Sequence, residues 1–512
     1  MAMSLGIGIG LSFGGAAPGA APTALLVAQF GNSRSIGRDS ASGDAWAANV
    51  REWTQAGALA VPANTVLDVA DTSGNTQATD LSPALPFAAD VNTLAPSDYD
   101  LIVFVGEGEG STGWSDSTWD SDGVPNRLST LKDRWNAAHA HLTGLGYTIE
   151  PLFSFYIANP DTTSSTFAEI RNDGVEFAAY IRANCTGATS APVIFGGGQA
   201  DAEYTSTTSP NVNNNAVFAT LGQMLNYGES FSIREDRYGL GGTWPLTNFD
   251  GTHLSRANTI VQGRLMYEAW QRAKLRTSWN PYSGLSFFAN LDAGYDFDIG
   301  AGYDLTGNNN SLTLQGTNDP LVRYDSGLGR YVFDRPSGTG RVWKFPTSVV
   351  PPAAGSYTRV VLVKFDSLAT TQALLEDQDT ATTAANRTLF RHALSTTNIV
   401  AGHGTASSVN FPNSLLTVGQ WAMLAVTYDA PTTTMQLTLN AAVPGSGAPT
   451  SSAVSANSAP YYGILGGASL AGATANAFTG DIALAMVFDK ALSSSELAEL
   501  KTVINTRFGL AL

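Results

Sequence analysis

Between residues 22 and 275 short apolar runs alternate with amphipathic helical patterns, and this alternation restricts the chain's fold more than any other feature. Leu25-Leu26-Val27-Ala28, Leu101-Ile102-Val103-Phe104-Val105, the stretch from Leu152 to Ile157 and Pro192-Val193-Ile194-Phe195 are four such runs. The last runs into Gly196-Gly197-Gly198. Apolar runs of this length, unbroken by polar positions, suit strands of a parallel sheet covered on both faces. Leu128, Leu131, Trp135 and Leu142 recur at helical spacing, as do Phe167, Ile170, Phe177 and Ile181, although Gly174 interrupts that second pattern. Val217, Leu221, Met224 and Leu225 predict a third helix; Ala257, Ile260, Val261, Leu265 and Ala269 predict a fourth. The order predicts a three-layer α/β domain, whose reactive groups gather at the carboxyl ends of its strands.

The texture changes at residues 276–284. Beyond it, strand patterns separated by turn-rich gaps dominate, at Tyr357 to Phe365, Trp421 to Tyr428, Met435 to Leu439 and Ile482 to Phe488. Closely spaced strands of this kind predict an all-β sandwich. Ser493 and Glu496 have capping-box spacing ahead of Leu497, Leu500, Val503 and Ile504, which predicts a closing helix. The expected organisation is an arm over residues 1–20, an α/β domain over 21–278 and a β-sandwich over 285–512.

Composition narrows the function. The chain has 512 residues, more than one core holds, and a formal net charge of −16. A nucleic-acid surface needs a basic patch, so that class of partner is excluded. Charged residues are only 14%, which leaves a polar, lightly charged surface of the kind common in extracellular and virion proteins. No apolar run approaches the roughly 20 residues needed to cross a bilayer. Cys185 is the one cysteine, so no disulfide forms within the chain; it follows a predicted helix and reads as a packing residue. Residues 1–20 are small and apolar, and the first basic residue is Arg34. A secretory signal carries positive charge ahead of its apolar stretch, so the expectation is an arm that docks on another subunit.

Asp250-Gly251-Thr252-His253 stands just before the fourth helical pattern. A carboxylate three residues from an imidazole can hold the ring and leave its other nitrogen free to take a proton from a hydroxyl. Of five histidines, His253 is the one with an acid at this spacing. Ser33 lies in Gly31-Asn32-Ser33-Arg34-Ser35-Ile36-Gly37-Arg38, directly after the first apolar run, where a strand-to-helix turn presents a serine at the sheet edge. His139 and His141 are two apart on a helix and cannot share a ligand; His392 and His403 have no acid motif nearby. Glu107 and Glu109 alternate on an extended segment and offer the carboxylate pair a glycosidase would need.

These segments resemble the SGNH hydrolases, in particular the carbohydrate and sialate O-acetylesterases. Gly31-Asn32-Ser33-Arg34 stands where that branch has Gly-Gln-Ser-Asn, Gly37-Arg38 keeps the family spacing, and Asp250 and His253 match its Asp-x-x-His block. The resemblance implies a flavodoxin-like α/β fold with Ser33 as nucleophile, His253 as base and Asp250 as its orienting acid. It implies oxyanion donors at Gly110, in Gly106-Glu107-Gly108-Glu109-Gly110-Ser111, and at Asn159, in Ala158-Asn159-Pro160-Asp161. Arg34, Arg38 and Trp114 would face the substrate, with Trp119 an alternative to Trp114. Asn32, Arg34, Ala158 and Pro160 depart from the family pattern, which bears on the oxyanion set. Neither metal nor cofactor is needed.

Residues 285–512 resemble a laminin-G or concanavalin-like lectin domain through Gly419-Gln420-Trp421 to Asp429 and Phe478-Thr479-Gly480-Asp481-Ile482 to Glu496. The resemblance implies a jelly-roll sandwich of a kind that often binds glycan, the alternative being an assembly module that binds no sugar. Tyr295, Asp296, Asp298 and Asp304 would be its calcium ligands, or plain turn residues. The combination of arm, hydrolase and lectin-like module resembles phage tail receptor-binding and tail-spike proteins. It implies a glycan-directed serine esterase on a virion tail, oligomeric, bound to surface polysaccharide and to other tail proteins through its arm. The alternatives are a non-catalytic virion receptor-binding protein that keeps the hydrolase fold as scaffold, and a secreted bacterial acetylesterase.

Overall fold

A computed structural model describes residues 21–31, 44–69, 80–108, 119, 127–156, 167–197, 220–232, 254–308, 310–315, 321–335, 342–346, 349, 355–378, 388–393, 397–403, 407–447, 462–466 and 476–512. Strands β1 (Thr23–Gly31), β2 (Val50–Trp53), β3 (Leu59–Ala60), β4 (Leu101–Gly108), β5 (Thr148–Tyr156), β6 (Val193–Gly197) and β7 (Gly228–Ser232) form one sheet. Their order is β3-β2-β4-β1-β5-β6-β7. Every pairing is parallel except that of β3 with β2. Neighbours along each strand serve opposite faces, as strand geometry requires. Leu26, Val103, Phe153 and Phe195 pack beneath helices α2 (Arg127–Gly144) and α3 (Phe167–Asn184). Leu25, Ile102, Leu152 and Ile194 pack beneath α1 (Ala84–Leu94) and α4 (Arg256–Leu275). Two covered faces are the reason these strands read as unbroken apolar runs.

The helix expected from Val217 to Leu225 is described from Thr220 onward: Thr220 and Leu221 are helical and the 3-10 segment Gly222–Met224 follows, while Val217 lies outside the described residues. A β-carbon on Gly222 would fall 2.0 Å from the Glu229 carbonyl, so the end of the helix lies close against β7. Gly174 does not weaken α3, which runs through it: a β-carbon there would lie 2.3 Å from the Leu221 side chain, so the glycine sets a close approach. Helix α1 and strands β2 and β3 had no sequence reading. Ala84, Leu85, Pro86, Phe87 and Ala88 are buried in succession, so α1 has little of the alternation that marks an amphipathic helix.

The second half is all β until its last helix. Strands Leu321–Asp325, Arg330–Arg335, Gly480–Phe488, Tyr357–Phe365, Trp421–Asp429, Thr434–Leu439 and Ala442–Gly447 lie side by side in that order, and Leu291–Asp296 also pairs with Gly480–Phe488. Two four-stranded sheets face this large one. Val361, Val363, Leu424, Val426, Leu437 and Ile482 on its inner side meet Trp343, Phe390, Ile399, Phe411 and Leu465, forming the sandwich core. On its outer side, Leu362, Met423, Ala425 and Met486 lie with Leu497, Leu500, Ile504 and Phe508 of α5 (Ser494–Phe508). Each such buried side chain contributes about 1.5–3 kcal/mol. Ser493 and Glu496 form the expected capping box, and Gly509, at φ 65°, closes the helix in the left-handed conformation.

The two halves are joined by more than the chain. One apolar cluster runs from Phe177 and Phe195 through Met224, Leu225 and Tyr282 to Ile299, Leu305 and the outer side of the large β-sheet. Arg171 of α3 donates to the Gly300 carbonyl at 3.0 Å, and its guanidinium lies 5.5 Å from the centre of the Tyr303 ring. Burial pushes this guanidinium down to about 10. The Gly300 N–H in turn donates to the Thr220 carbonyl.

Candidate active site

Strands β4 and β5 flank β1 on opposite sides. The chain therefore leaves β1 toward one side of the sheet and leaves β5, for β6, toward the other. In open α/β sheets such a reversal opens a crevice at the carboxyl ends of the two strands. Here that crevice lies between Gly31 and Tyr156, which are register partners. Gly31 has φ 139°, and a β-carbon on it would lie 2.0 Å from the Tyr156 carbonyl oxygen. Only glycine fits both the conformation and the space.

The residues predicted for the site, Ser33, Arg34, Arg38, Gly110, Trp114, Asn159, Asp250 and His253, all lie outside the described residues. Described anchors flank them in the chain. Gly31 ends β1 two residues before Ser33, Gly108 ends β4 two before Gly110, and Tyr156 ends β5 three before Asn159. Leu254 follows His253, and the Ser255 side chain then caps α4 by accepting the Asn258 N–H. The Arg276 carbonyl after α4 accepts from Tyr227, next to the first residue of β7. Helix α4 thus ends at the amino edge of the sheet, and its 20 residues, about 30 Å long, begin at the carboxyl edge.

The described groups at this edge carry their own chemistry. Glu107 is fully buried, with Arg127 at 3.3 Å and Arg134 at 3.1 Å. Arg134 also donates to the carbonyls of Gly106, Trp53 and Asp68, so it ties the ends of β4 and β2 together. A carboxylate held between two guanidinium groups is a structural anion, not a proton donor to substrate. The glycosidase reading of Glu107 and Glu109 is therefore corrected at Glu107; Glu109 lies outside the described residues. Sequence reasoning missed these arginines, although their seven-residue spacing puts them on one face of α2. Trp119 is 2% exposed and packs against Phe30 and Phe155, with ring centres 6.0 and 5.5 Å away. It belongs to the core under α3, which removes it as the alternative to Trp114.

Asp296, Asp298, Asp304 and His392 resolve into packing roles. Asp296 accepts from Arg507 at 3.0 Å and from the Tyr282 hydroxyl at 2.9 Å; Asp298 accepts from Arg507 at 2.7 Å and from the Tyr331 N–H. Burial alone would lower Arg507, but Asp296 and Asp298 overcome it and raise it above the usual arginine range. Asp304 accepts from Gly294, Thr306 and Asn310, and the Tyr295 hydroxyl donates to the Asn310 carbonyl. The calcium reading of these four residues gives way to an arginine-centred network and a turn. Among the described residues no group of three or more His, Cys, Asp or Glu is arranged to hold a metal ion. His392 is buried between the Thr370 carbonyl and the Asn413 amide. Burial pushes the Cys185 thiol up to about 12, so it stays a protonated packing group.

Residues 337–498 match the family model of the concanavalin A-like lectin/glucanases superfamily, laminin-G type. The C-terminal region therefore carries a lectin-like domain, in agreement with its sandwich of β-sheets. No curated protein matches the chain. Solved structures similar to it include a protein from Arabidopsis thaliana, at 14% identity and TM-score 0.36, covering 49% of this chain and 99% of that one. Others are the CBM40 of a Ruminococcus gnavus sialidase bound to sialyllactose (18%, TM-score 0.26, covering 29% and 83%) and domain 4 of a Geobacillus stearothermophilus extracellular arabinanase with arabinotriose (19%, TM-score 0.32, covering 41% and 98%). Likenesses this slight carry no argument about fold or function.

Proposed function

We propose that this chain is a glycan-directed serine ester hydrolase of the SGNH type, which removes acyl groups, acetyl foremost, from a surface polysaccharide as part of a virion tail. One observation carries the reading. The crevice between Gly31 and Tyr156 is where an open α/β sheet holds its ligand, and the segments leaving β1, β4 and β5 there contain Ser33, Gly110 and Asn159 in sequence. Helix α4, which starts at the same edge, is preceded by Asp250-Gly251-Thr252-His253.

In this reading His253 takes the Ser33 proton as the Ser33 oxygen attacks the ester carbonyl. Asp250 holds the imidazole and stabilises its cation. The Ser33 and Gly110 N–H groups and the Asn159 amide face the negative oxygen that develops. His253 returns the proton to the departing sugar hydroxyl, leaving an acyl group on Ser33. Water, deprotonated by His253, attacks that acyl group; the carboxylic acid leaves and Ser33 recovers its proton. The lectin-like domain holds the polysaccharide, and several copies on one tail raise avidity.

The test is acetate release from p-nitrophenyl acetate and from an acetylated polysaccharide, by the chain and by Ser33→Ala. Loss of at least a thousandfold in the variant is expected. Equal release by both, or none by either, overturns the esterase.

A further inference from the structure

We infer that the cleft between the Trp421–Asp429/Thr434–Leu439 hairpin and the turn into α5 is a binding subsite for a neutral sugar residue. This deepens the lectin part of the proposed function and rests on that part alone, independent of chemistry at Ser33. The cleft has a volume of about 350 Å³, within the usual range for small-molecule sites, and is lined by Thr427, Asp429, Thr432, Thr434, Gln436, Ala491 and Leu492.

Its chemistry follows from strand register. Thr427 stands opposite Gln436, and Asp429 opposite Thr434, so the four side chains share one face of the sheet. Val426, Tyr428, Met435 and Leu437 point the other way, into the sandwich core. Farther along the same outer face, Met423 and Ala425 are covered by the cluster that includes α5. Cover stops where α5 begins, and Ala491 and Leu492 form the apolar wall there.

The polar groups are held for a ligand with hydroxyls. Asp429 is fixed by the Thr432 hydroxyl at 2.5 Å and reaches Ser356 at 3.5 Å. The Thr434 hydroxyl donates to the Thr432 carbonyl. Thr427 is only 6% exposed, yet neither its hydroxyl nor the Gln436 amide makes a side-chain hydrogen bond among the described residues. A nearly buried hydroxyl whose capacity faces a cleft is what a ligand polar group would satisfy. Hydroxyl and amide each offer donor and acceptor, as sugar hydroxyls require. A single carboxylate, already bonded to Thr432, is too little for a cation and repels sialic or uronic acids, so the sugar is neutral.

The experiment applies the fluorescently labelled full chain to an array of neutral and sialylated oligosaccharides. Thr427→Val and Gln436→Ala are compared with it, each checked by its melting curve. Expected is binding to neutral oligosaccharides that falls at least tenfold in Thr427→Val and Gln436→Ala. If the unaltered chain binds no oligosaccharide, the lectin reading fails and the subsite with it. If neutral glycans bind and both cleft variants keep that binding, the subsite alone is overturned. Binding to sialylated glycans only overturns its neutral specificity. A variant whose melting curve collapses is replaced by Thr434→Val at the same cleft.

Discussion

The Tyr156 carbonyl oxygen fills the space that a β-carbon on residue 31 would need, 2.0 Å from where that carbon would be. Gly31 meets this demand with φ 139°, a conformation that other residues rarely adopt. The last residue of β1 is thereby pressed against the last residue of β5, at the point from which the segment bearing Ser33 departs.

Gly31→Ala is expected to lower stability by about 2–3 kcal/mol, from strain and the forced shift of β5. The same variant should lose ester hydrolysis even where it remains folded. Urea denaturation followed by tryptophan fluorescence gives the first quantity and p-nitrophenyl acetate turnover the second. A variant as stable as the parent would contradict the contact.

Arg507→Met strands Asp296 and Asp298 in the core. Removing one partner of a buried ion pair typically costs about 3–5 kcal/mol, and the midpoint of urea unfolding should drop accordingly. Because Arg507 already neutralises these acids, EDTA should leave the melting temperature of the parent chain unchanged. A chelator-induced drop would restore calcium to this site.

Burial works against ionisation of Glu229, but Arg276 and Arg272 overcome it and pull the group down to about 2 from its usual 4.5. The folded value lies below the unfolded one. The stability this group supplies is therefore complete above about pH 4.5 and lost as the pH falls toward 2. In Glu229→Gln the difference in unfolding free energy from the parent should be constant above pH 5 and shrink between pH 4.5 and 2. Denaturation midpoints across that range provide the check; a difference independent of pH would refute it.

Arg171 joins α3 to the Gly300 carbonyl, at the seam between the α/β sheet and the β-sandwich. Arg171→Met leaves that carbonyl unpaired, at a cost of about 1–3 kcal/mol. Calorimetry should then show two unfolding transitions where the parent shows one. A single unchanged transition would mean that the apolar cluster alone couples the halves.

Much of the fold was legible because its signal is local. Leu25 to Ala28, Leu101 to Val105 and Val193 to Phe195 announce buried parallel strands, since two covered faces leave no position for a polar residue. Ser493 and Glu496 announce α5, since a capping box needs only its own turn. Helix α1 was not legible, because its first five residues are buried together by α4 and the sheet. Of the candidate site, the sequence supplies the residue types and spacings of Ser33, Asp250 and His253.

What the sequence determined by itself was therefore the kind of element at most positions, the change from α/β to all-β, and a short set of reactive groups. Tertiary structure decided which acids are spent. Glu107 is bound by Arg127 and Arg134, and Asp296 and Asp298 by Arg507, across separations from 20 to 211 residues. No local pattern encodes such pairs, because a carboxylate's role depends on the charges that folding brings to it. The same holds for Gly31: its identity is written in the chain, but the reason for it is a carbonyl 125 residues away, on the neighbouring strand.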